Sequence, residues 1–175
     1  MDQRTIKTLL QNVAQGGISV EEAIMQLKQE PFEDLGFVKL DHHRGLRQGI
    51  TEVIFGAGKT PGQIVQIART LLERGQRTVI ITRLSVESNK LVQAELPCQY
   101  HEMGQFCVVG ELPEPDGLGK IVVATGGTSD MPIAEEAALT AEALGNEVTR
   151  LYDVGVAGLH RLLSHLDEIM SARVI

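Results

Sequence analysis

One stretch constrains this chain more than any other: Ala124-Thr125-Gly126-Gly127-Thr128-Ser129-Asp130-Met131-Pro132. It follows Ile121-Val122-Val123-Ala124, an uninterrupted apolar run of the kind that forms a parallel strand covered on both faces. Residues 132–144 beyond it read as a helix. A buried strand that hands over to a helix in this way belongs to an α/β sheet. Adjacent glycines let backbone N–H groups approach a ligand closely. The helix N-terminus beyond them favours an anion. Thr128 and Ser129 add hydroxyls, and Asp130 either caps the helix or accepts from a ribose hydroxyl. Ligands of open α/β sheets lie outside such strand ends. A capped turn with no ligand is the competing reading, but plain turns rarely stack Gly-Gly on Thr-Ser-Asp. The expected ligand site is therefore Thr125, Gly126, Gly127, Thr128, Ser129, Asp130 and Pro132.

A second strand, expected over 147–152, should end beside this loop. It runs into Tyr152-Asp153-Val154-Gly155-Val156-Ala157-Gly158-Leu159-His160-Arg161. Asp153 can orient a hydroxyl or handle a proton, Gly155 and Gly158 permit close backbone approach, and Arg161 suits phosphate or carboxylate. The competing readings are a solvated helix face for His160 and Arg161 and a turn or cap for Asp153. A helix is expected over 158–170. Arg173-Val174-Ile175 then reads as the start of a third parallel strand. Two strands are too few for a doubly wound domain, so the expectation is a truncated chain or a sheet completed by another chain. Ala134, Ala137, Ala138, Ala141 and Ala143 suit close core packing first, and self-association second.

Upstream, the pattern is different. Ile6, Leu9, Leu10 and Val13 form one helical stripe, stopped at Gly16-Gly17. Ser19 and Glu22 make a capping box for a second helix carrying Ala23, Ile24 and Leu27, which Pro31 closes. A DNA-reading helix pair is disfavoured by Glu21, Glu22 and Glu30. From residue 37 short strands (37–40, 52–55, 78–82, 99–103, 106–109) alternate with helices (61–74, 86–95), again an α/β pattern. Residues 111–119, rich in Pro, Gly and acid, are the best linker. Within this region Arg44, Arg47 and Lys59 form a candidate anion cluster or domain interface. Gly58-Lys59-Thr60 imitates the end of a P-loop, but Val53 stands where its first glycine belongs. Thr60, Pro61 and Gln63 explain themselves as N-cap, first helical residue and capping-box partner. Adjacent His42 and His43 point apart, which disfavours a metal pair, and the metal requirement is left open.

Lys and Arg total 16 of the 175 residues against 23 Asp and Glu, and the resulting −7 argues against nucleic-acid binding, which needs a positive field. No apolar run approaches the ~18 residues of a membrane span, and the start lacks a signal peptide's apolar core. Cys98 and Cys107, the two cysteines, fit neither a zinc site nor a disulfide framework. They read as buried inert thiols of a cytoplasmic protein.

The Gly126–Pro132 loop resembles the Gly-Ser-x-Ser-Asp-x-Pro loop of the aminoimidazole ribonucleotide carboxylases and mutases of purine synthesis. A closer resemblance is to the LarB family of nickel-pincer nucleotide cofactor biosynthesis. It rests on Leu40-Asp41-His42-His43-Arg44, Glu52-Val53-Ile54-Phe55-Gly56, Gly58-Lys59-Thr60, the run from Ala124 to Ala137 and the run from Tyr152 to Arg161. The resemblance extends from about residue 5 to the end of the chain. It implies a homo-oligomeric carboxylase and hydrolase. Such an enzyme carboxylates C5 of the pyridinium ring of nicotinic acid adenine dinucleotide and cleaves the phosphoanhydride. It releases AMP and pyridinium-3,5-biscarboxylic acid mononucleotide. CO2 is a substrate, Mg2+ the one candidate ion, and no tightly bound cofactor is implied. The loop and the 153–161 rim would bind substrate, with Asp130 and Asp153 as catalytic carboxylates. The family's ring-attacking cysteine matches neither Cys98 nor Cys107, so this chain is expected to lack it.

The purine enzymes carry a Ser-x-His-Arg loop where this chain reads Tyr152-Asp153-Val154-Gly155, so purine carboxylation is the alternative. A non-catalytic nucleotide-binding or assembly fragment is a further one. The expected fold class is α/β: a helical hairpin over 1–35, a small α/β region over 36–112, and over 118–175 the first half of a flavodoxin-like, three-layer parallel-sheet domain.

Overall fold

The computed structural model describes residues 3–28, 32–41 and 52–175. The chain divides into two compact units, Met1–Glu52 with Thr70–Gln76, and Val53–Arg69 with Arg77–Ile175.

In the first unit, helices α1 (Gln3–Ala14) and α2 (Val20–Lys28) are followed by a hairpin of β1 (Phe32–Asp34) and β2 (Lys39–Asp41). Among its described residues Leu9, Ala23, Leu40 and Leu71 are buried and apolar. Gly16, at φ +72°, closes α1 in the left-handed conformation that glycine adopts without a Cβ clash. The Ser19–Glu22 capping box is present in both directions: Ser19 N–H donates to Glu22 at 2.8 Å, and Glu22 N–H to Ser19 Oγ at 3.0 Å. The single strand expected over 37–40 is instead the second arm of a hairpin that begins directly after Pro31. Three-residue arms are too short to show alternation.

The second unit holds a four-stranded sheet in the order β3 (Val53–Phe55), β4 (Thr78–Thr82), β6 (Phe106–Gly110), β5 (Cys98–His101). The β3–β4 pair is parallel, while β4–β6 and β5–β6 are antiparallel. Helix α3 (Pro61–Glu73) follows β3, and α4 (Val86–Glu95) follows β4. Thr60 and Gln63 cap α3 reciprocally, at 2.9 and 3.3 Å. A second sheet pairs β7 (Ile121–Ala124) with β8 (Val148–Leu151) in parallel. Val174 adds a parallel bridge to the other side of Ile121, and Val122 N–H donates to its carbonyl at 2.9 Å. The third-strand reading of Val174 is thus realised as a single bridge.

Helix α5 (Met131–Ala143) organises this unit. Its Leu139 and Ala143 pack with Ile80, Phe106 and Val108 of the four-stranded sheet. Another of its faces lies on β7 and β8. Ala134, Ala138 and Ala143 are buried, so their small side chains serve core packing, as expected. The opposite face of the β7–β8 sheet, Val122 and Leu151, packs with Val154, Leu162, Ile169 and Ala172. The last two helices are α6 (Leu159–Leu163) and α7 (Leu166–Ser171). They replace the single helix expected over 158–170. The break falls at Ser164 and His165, where the Ser164 hydroxyl donates back to the Arg161 carbonyl at 2.7 Å and His165 leaves helical geometry at φ −110°. The fold is α/β, with a mixed and a parallel sheet flanked by helices, in keeping with a flavodoxin-like domain. Among the described residues no helix is long and apolar enough to cross a membrane.

Candidate functional site

The two loops singled out by the sequence meet at the C-terminal ends of β7 and β8, and Thr125 joins them. Buried itself, it donates its N–H to Leu151 O at 3.0 Å and accepts Val154 N–H on its carbonyl at 2.9 Å. Its hydroxyl accepts Asp153 N–H at 3.1 Å. Gly155 then passes against Gly126 so closely that a Cβ on Gly155 would collide with the Gly126 carbonyl oxygen. The absence of a side chain at Gly155 is what lets the two rims touch.

Beyond Gly126 the chain makes a 3-10 turn over Thr128–Asp130 before α5 begins. Asp130 Oδ2 accepts the Gly127 N–H at 3.2 Å, so this carboxylate reaches back across the turn instead of capping α5. No described residue accepts from the N–H groups of Gly126, Thr128 or Ser129. Gly126, Thr128, Ser129, Asp130 and Pro132 are exposed and Gly127 is half-buried. The turn is therefore open, with donors unspent at the N-terminal end of a 13-residue helix. Such an arrangement suits an anion.

On the other rim, Asp153 sits at φ +58°, in the left-handed region that Asp tolerates better than most residues. Its carboxylate accepts from Arg161 Nη1. The Arg161 guanidinium lies over Gly158, where a Cβ would come within 2.6 Å of Nε. Val156 and Ala157 form an exposed 3-10 turn with Gly158, and His160 is exposed in the first turn of α6. The structure thus gathers Thr125, Gly126, Asp153 and Gly155 into direct contact, with Gly127 next in the chain, and joins Arg161 to them through Asp153.

Lys59 donates its ammonium to the Phe55 carbonyl at 2.8 Å. Arg44 and Arg47, its proposed companions, lie outside the described residues, as do His42 and His43. Among the described residues no three or more His, Cys, Asp or Glu side chains group as a metal site. Cys107 is fully buried, and burial first, then the neighbouring Cys98, pushes its thiol well above the usual range. Cys98 is half-buried with its Sγ 3.9 Å from Asn89 Oδ1.

Sequence reasoning missed a polar cluster behind the loops. Arg150 Nε donates to both Glu135 oxygens, at 3.2 and 3.1 Å, and its Nη1 and Nη2 to Glu142 at 2.5 and 2.9 Å. The Tyr152 hydroxyl donates to Glu135 Oε2. Burial pushes the Glu135 carboxyl up, but the hydrogen bonds from Arg150 and Tyr152 outweigh it and hold the group below the usual carboxylate range. Burial, then the Glu135 carboxylate, pushes the Tyr152 phenol up to about 12. The available signal was Glu135 and Glu142 two helical turns apart, opposite Arg150 and Tyr152 alternating along a strand.

The fold and these loops define an α/β protein with an open, glycine-rich turn at the mouth of a parallel sheet. Residues 32–111 match the LarB/PurE-like N-terminal domain. The chain is also similar to Uncharacterized protein MJ0165 of Methanocaldococcus jannaschii, at 32% identity over 178 residues, covering 98% of this chain and 70% of that protein. The chain belongs to the LarB/PurE-like family, a relationship with carboxylase-type enzymes.

Proposed function

We propose that the protein acts in nickel-pincer cofactor biosynthesis. It carboxylates C5 of the pyridinium ring of nicotinic acid adenine dinucleotide and hydrolyses the phosphoanhydride to AMP and pyridinium-3,5-biscarboxylic acid mononucleotide. The observation that carries this reading is the exposed Gly126–Ser129 turn, whose N–H groups at Gly126, Thr128 and Ser129 have no described acceptor. A phosphoryl group is the ligand such a turn favours. Asp153 and Arg161 supply a carboxylate for a hydroxyl or proton and a cation for a second anionic group.

The chemistry follows from the ring. A pyridinium is an electrophile and does not attack CO2. A thiolate that adds to the ring makes C5 an enamine-like nucleophile. C5 attacks CO2, the C5 proton leaves to a base, and the thiolate departs as the ring regains its aromaticity. Water then opens the phosphoanhydride. Cys107 is buried and held protonated, which makes it a poor nucleophile. Cys98 and Cys107 also do not match the ring-attacking cysteine of the family the chain resembles, so the proposal assigns the thiolate to neither. That same observation favours a second reading for residues 1–175 taken alone, nucleotide binding without turnover. The purine carboxylase reading is weaker, because the rim after β8 has no histidine between Tyr152 and Gly155.

The test incubates the protein, at the full length of its reading frame and as residues 1–175, with nicotinic acid adenine dinucleotide and bicarbonate. Release of AMP with a dicarboxylated mononucleotide is expected from the first. If neither product forms, the carboxylase reading is wrong. If residues 1–175 bind AMP without turnover, the second reading holds for them.

A further inference from the structure

We propose that Tyr152, acting through Glu135, is a positioning residue for the candidate site, setting the 153–155 rim against the Gly126–Gly127 turn. The inference rests on the functional reading above, because the turn it positions is the phosphoryl cradle.

The clamp behind the site joins a strand end to the helix that carries the loop. Arg150 and Tyr152 lie on the face of β8 and its continuation that meets α5, while Leu151 between them packs on the other face. Glu135 is in the second turn of α5, the helix that begins directly after the Thr128–Asp130 turn. Side-chain exposures of 27% for Arg150, 17% for Glu135 and 31% for Glu142 leave the clamp largely screened from water, where charge-assisted bonds hold geometry best. One guanidinium faces two carboxylates, so the cluster is a positive charge short. The Tyr152 hydroxyl supplies Glu135 with a neutral donor, and the field of His101 also favours the Glu135 carboxylate.

Tyr152 differs from Arg150 in standing next to the rim. Its C-terminal neighbour, Asp153, holds a left-handed backbone, donates its N–H to Thr125 Oγ1 and pairs with Arg161. Two residues further, Gly155 lies against Gly126. The phenol therefore anchors the last point before the rim turns. Arg150 bonds to both Glu135 and Glu142 and ties α5 to β8. The Tyr152 hydroxyl decides how the chain leaves that contact, and so where Asp153 and Gly155 come to rest beside the cradle. Tyr152 itself is spent on Glu135 and does not touch a ligand in this arrangement.

The experiment uses the whole chain with AMP as the probe. Tyr152→Phe should bind AMP about tenfold more weakly, with its thermal midpoint within a few degrees of the original. Glu135→Gln keeps an acceptor for the phenol and should retain most of the affinity. Glu135→Leu, which also removes the Arg150 bonds, should lose at least as much as Tyr152→Phe, and the double variant Tyr152→Phe/Glu135→Leu should lose no more than Glu135→Leu alone, because the phenol then has no acceptor to lose. Additive losses, or wild-type affinity in Tyr152→Phe, overturn the proposal. In the absence of ligand, the backbone amide resonances of Gly126, Gly127 and Asp153 should shift in Tyr152→Phe. If the original protein binds no AMP, the cradle reading fails, and those amide shifts alone then decide the positioning role. Unchanged resonances overturn it.

Discussion

At the scale of single residues, two glycines in the same site do opposite things. Gly126 faces open space, with nothing nearer to an added Cβ than Asp130 Oδ2 at 4.0 Å, whereas Gly155 is pressed on the Gly126 carbonyl. Gly126→Ala should therefore fold with unchanged stability yet place a methyl at the cradle and weaken AMP binding. Gly155→Ala should cost about 1 to 3 kcal/mol through overpacking. Urea denaturation of both variants, with AMP titration of Gly126→Ala, checks the pair. The clamp makes a second prediction at this scale. Glu135 has its folded pKa below the unfolded value near 4.5, so its contribution is present above that pH and lost as pH falls further. Tyr152 has its folded pKa raised from 10.0 to about 12, so its contribution is present below pH 10 and lost as pH climbs towards 12. Thermal midpoints followed across pH should show a shallower acid limb in Glu135→Gln and a shallower alkaline limb in Tyr152→Phe.

At the scale of elements, local chemistry reads through to the structure where side chains cap a helix. Thr60, Pro61 and Gln63 start α3 where the sequence places it, and Thr60→Ala should cost about 1 kcal/mol in urea denaturation. The strand Thr78–Thr82 and the helix Val86–Glu95 also fall on their expected residues. Ser85 caps that helix by accepting Ser88 N–H at 3.2 Å. The break between α6 and α7 was not legible, because neither Ser164 nor His165 is a strong breaker. Leu162 of α6 and Ile169 of α7 both pack on the Val122 and Leu151 cluster, so the two short helices share that one apolar face.

At the scale of the second unit, α5 is the part shared between two sheets, which makes its apolar contacts worth more than those of a surface helix. Leu139 is 5% exposed and lies with Ile80, Phe106, Val108 and Ala143, so Leu139→Ala should destabilise by about 2 to 5 kcal/mol. A denaturation curve that keeps its slope while its midpoint falls would identify a pure stability change. The loop precedes this helix directly, so it is anchored on a core that the mixed sheet completes. The Arg83–Glu136 ion pair, at 2.6 Å, and the close approach of Gly104, where an added Cβ would come within 3.1 Å of Glu136 N, set the same helix against the hairpin side of that sheet.

The sequence by itself determined the α/β class, the strand-to-helix handover at Ala124–Pro132, the caps and the two loops of the candidate site. Each of these depends on residues within a few positions of one another: an apolar run, adjacent glycines, a hydroxyl three residues before its partner. Only the tertiary structure decided that β6 lies between β4 and β5, that Gly155 closes on Gly126, that Asp153 takes a left-handed backbone, and that Glu135 binds both Arg150 and Tyr152. Apart from the β5–β6 hairpin, those contacts join residues 15 or more positions apart, and no periodicity of 2 or 3.6 reports on a neighbour at that separation. Their geometry arises when α5 is packed between two sheets, and the site is assembled by that packing.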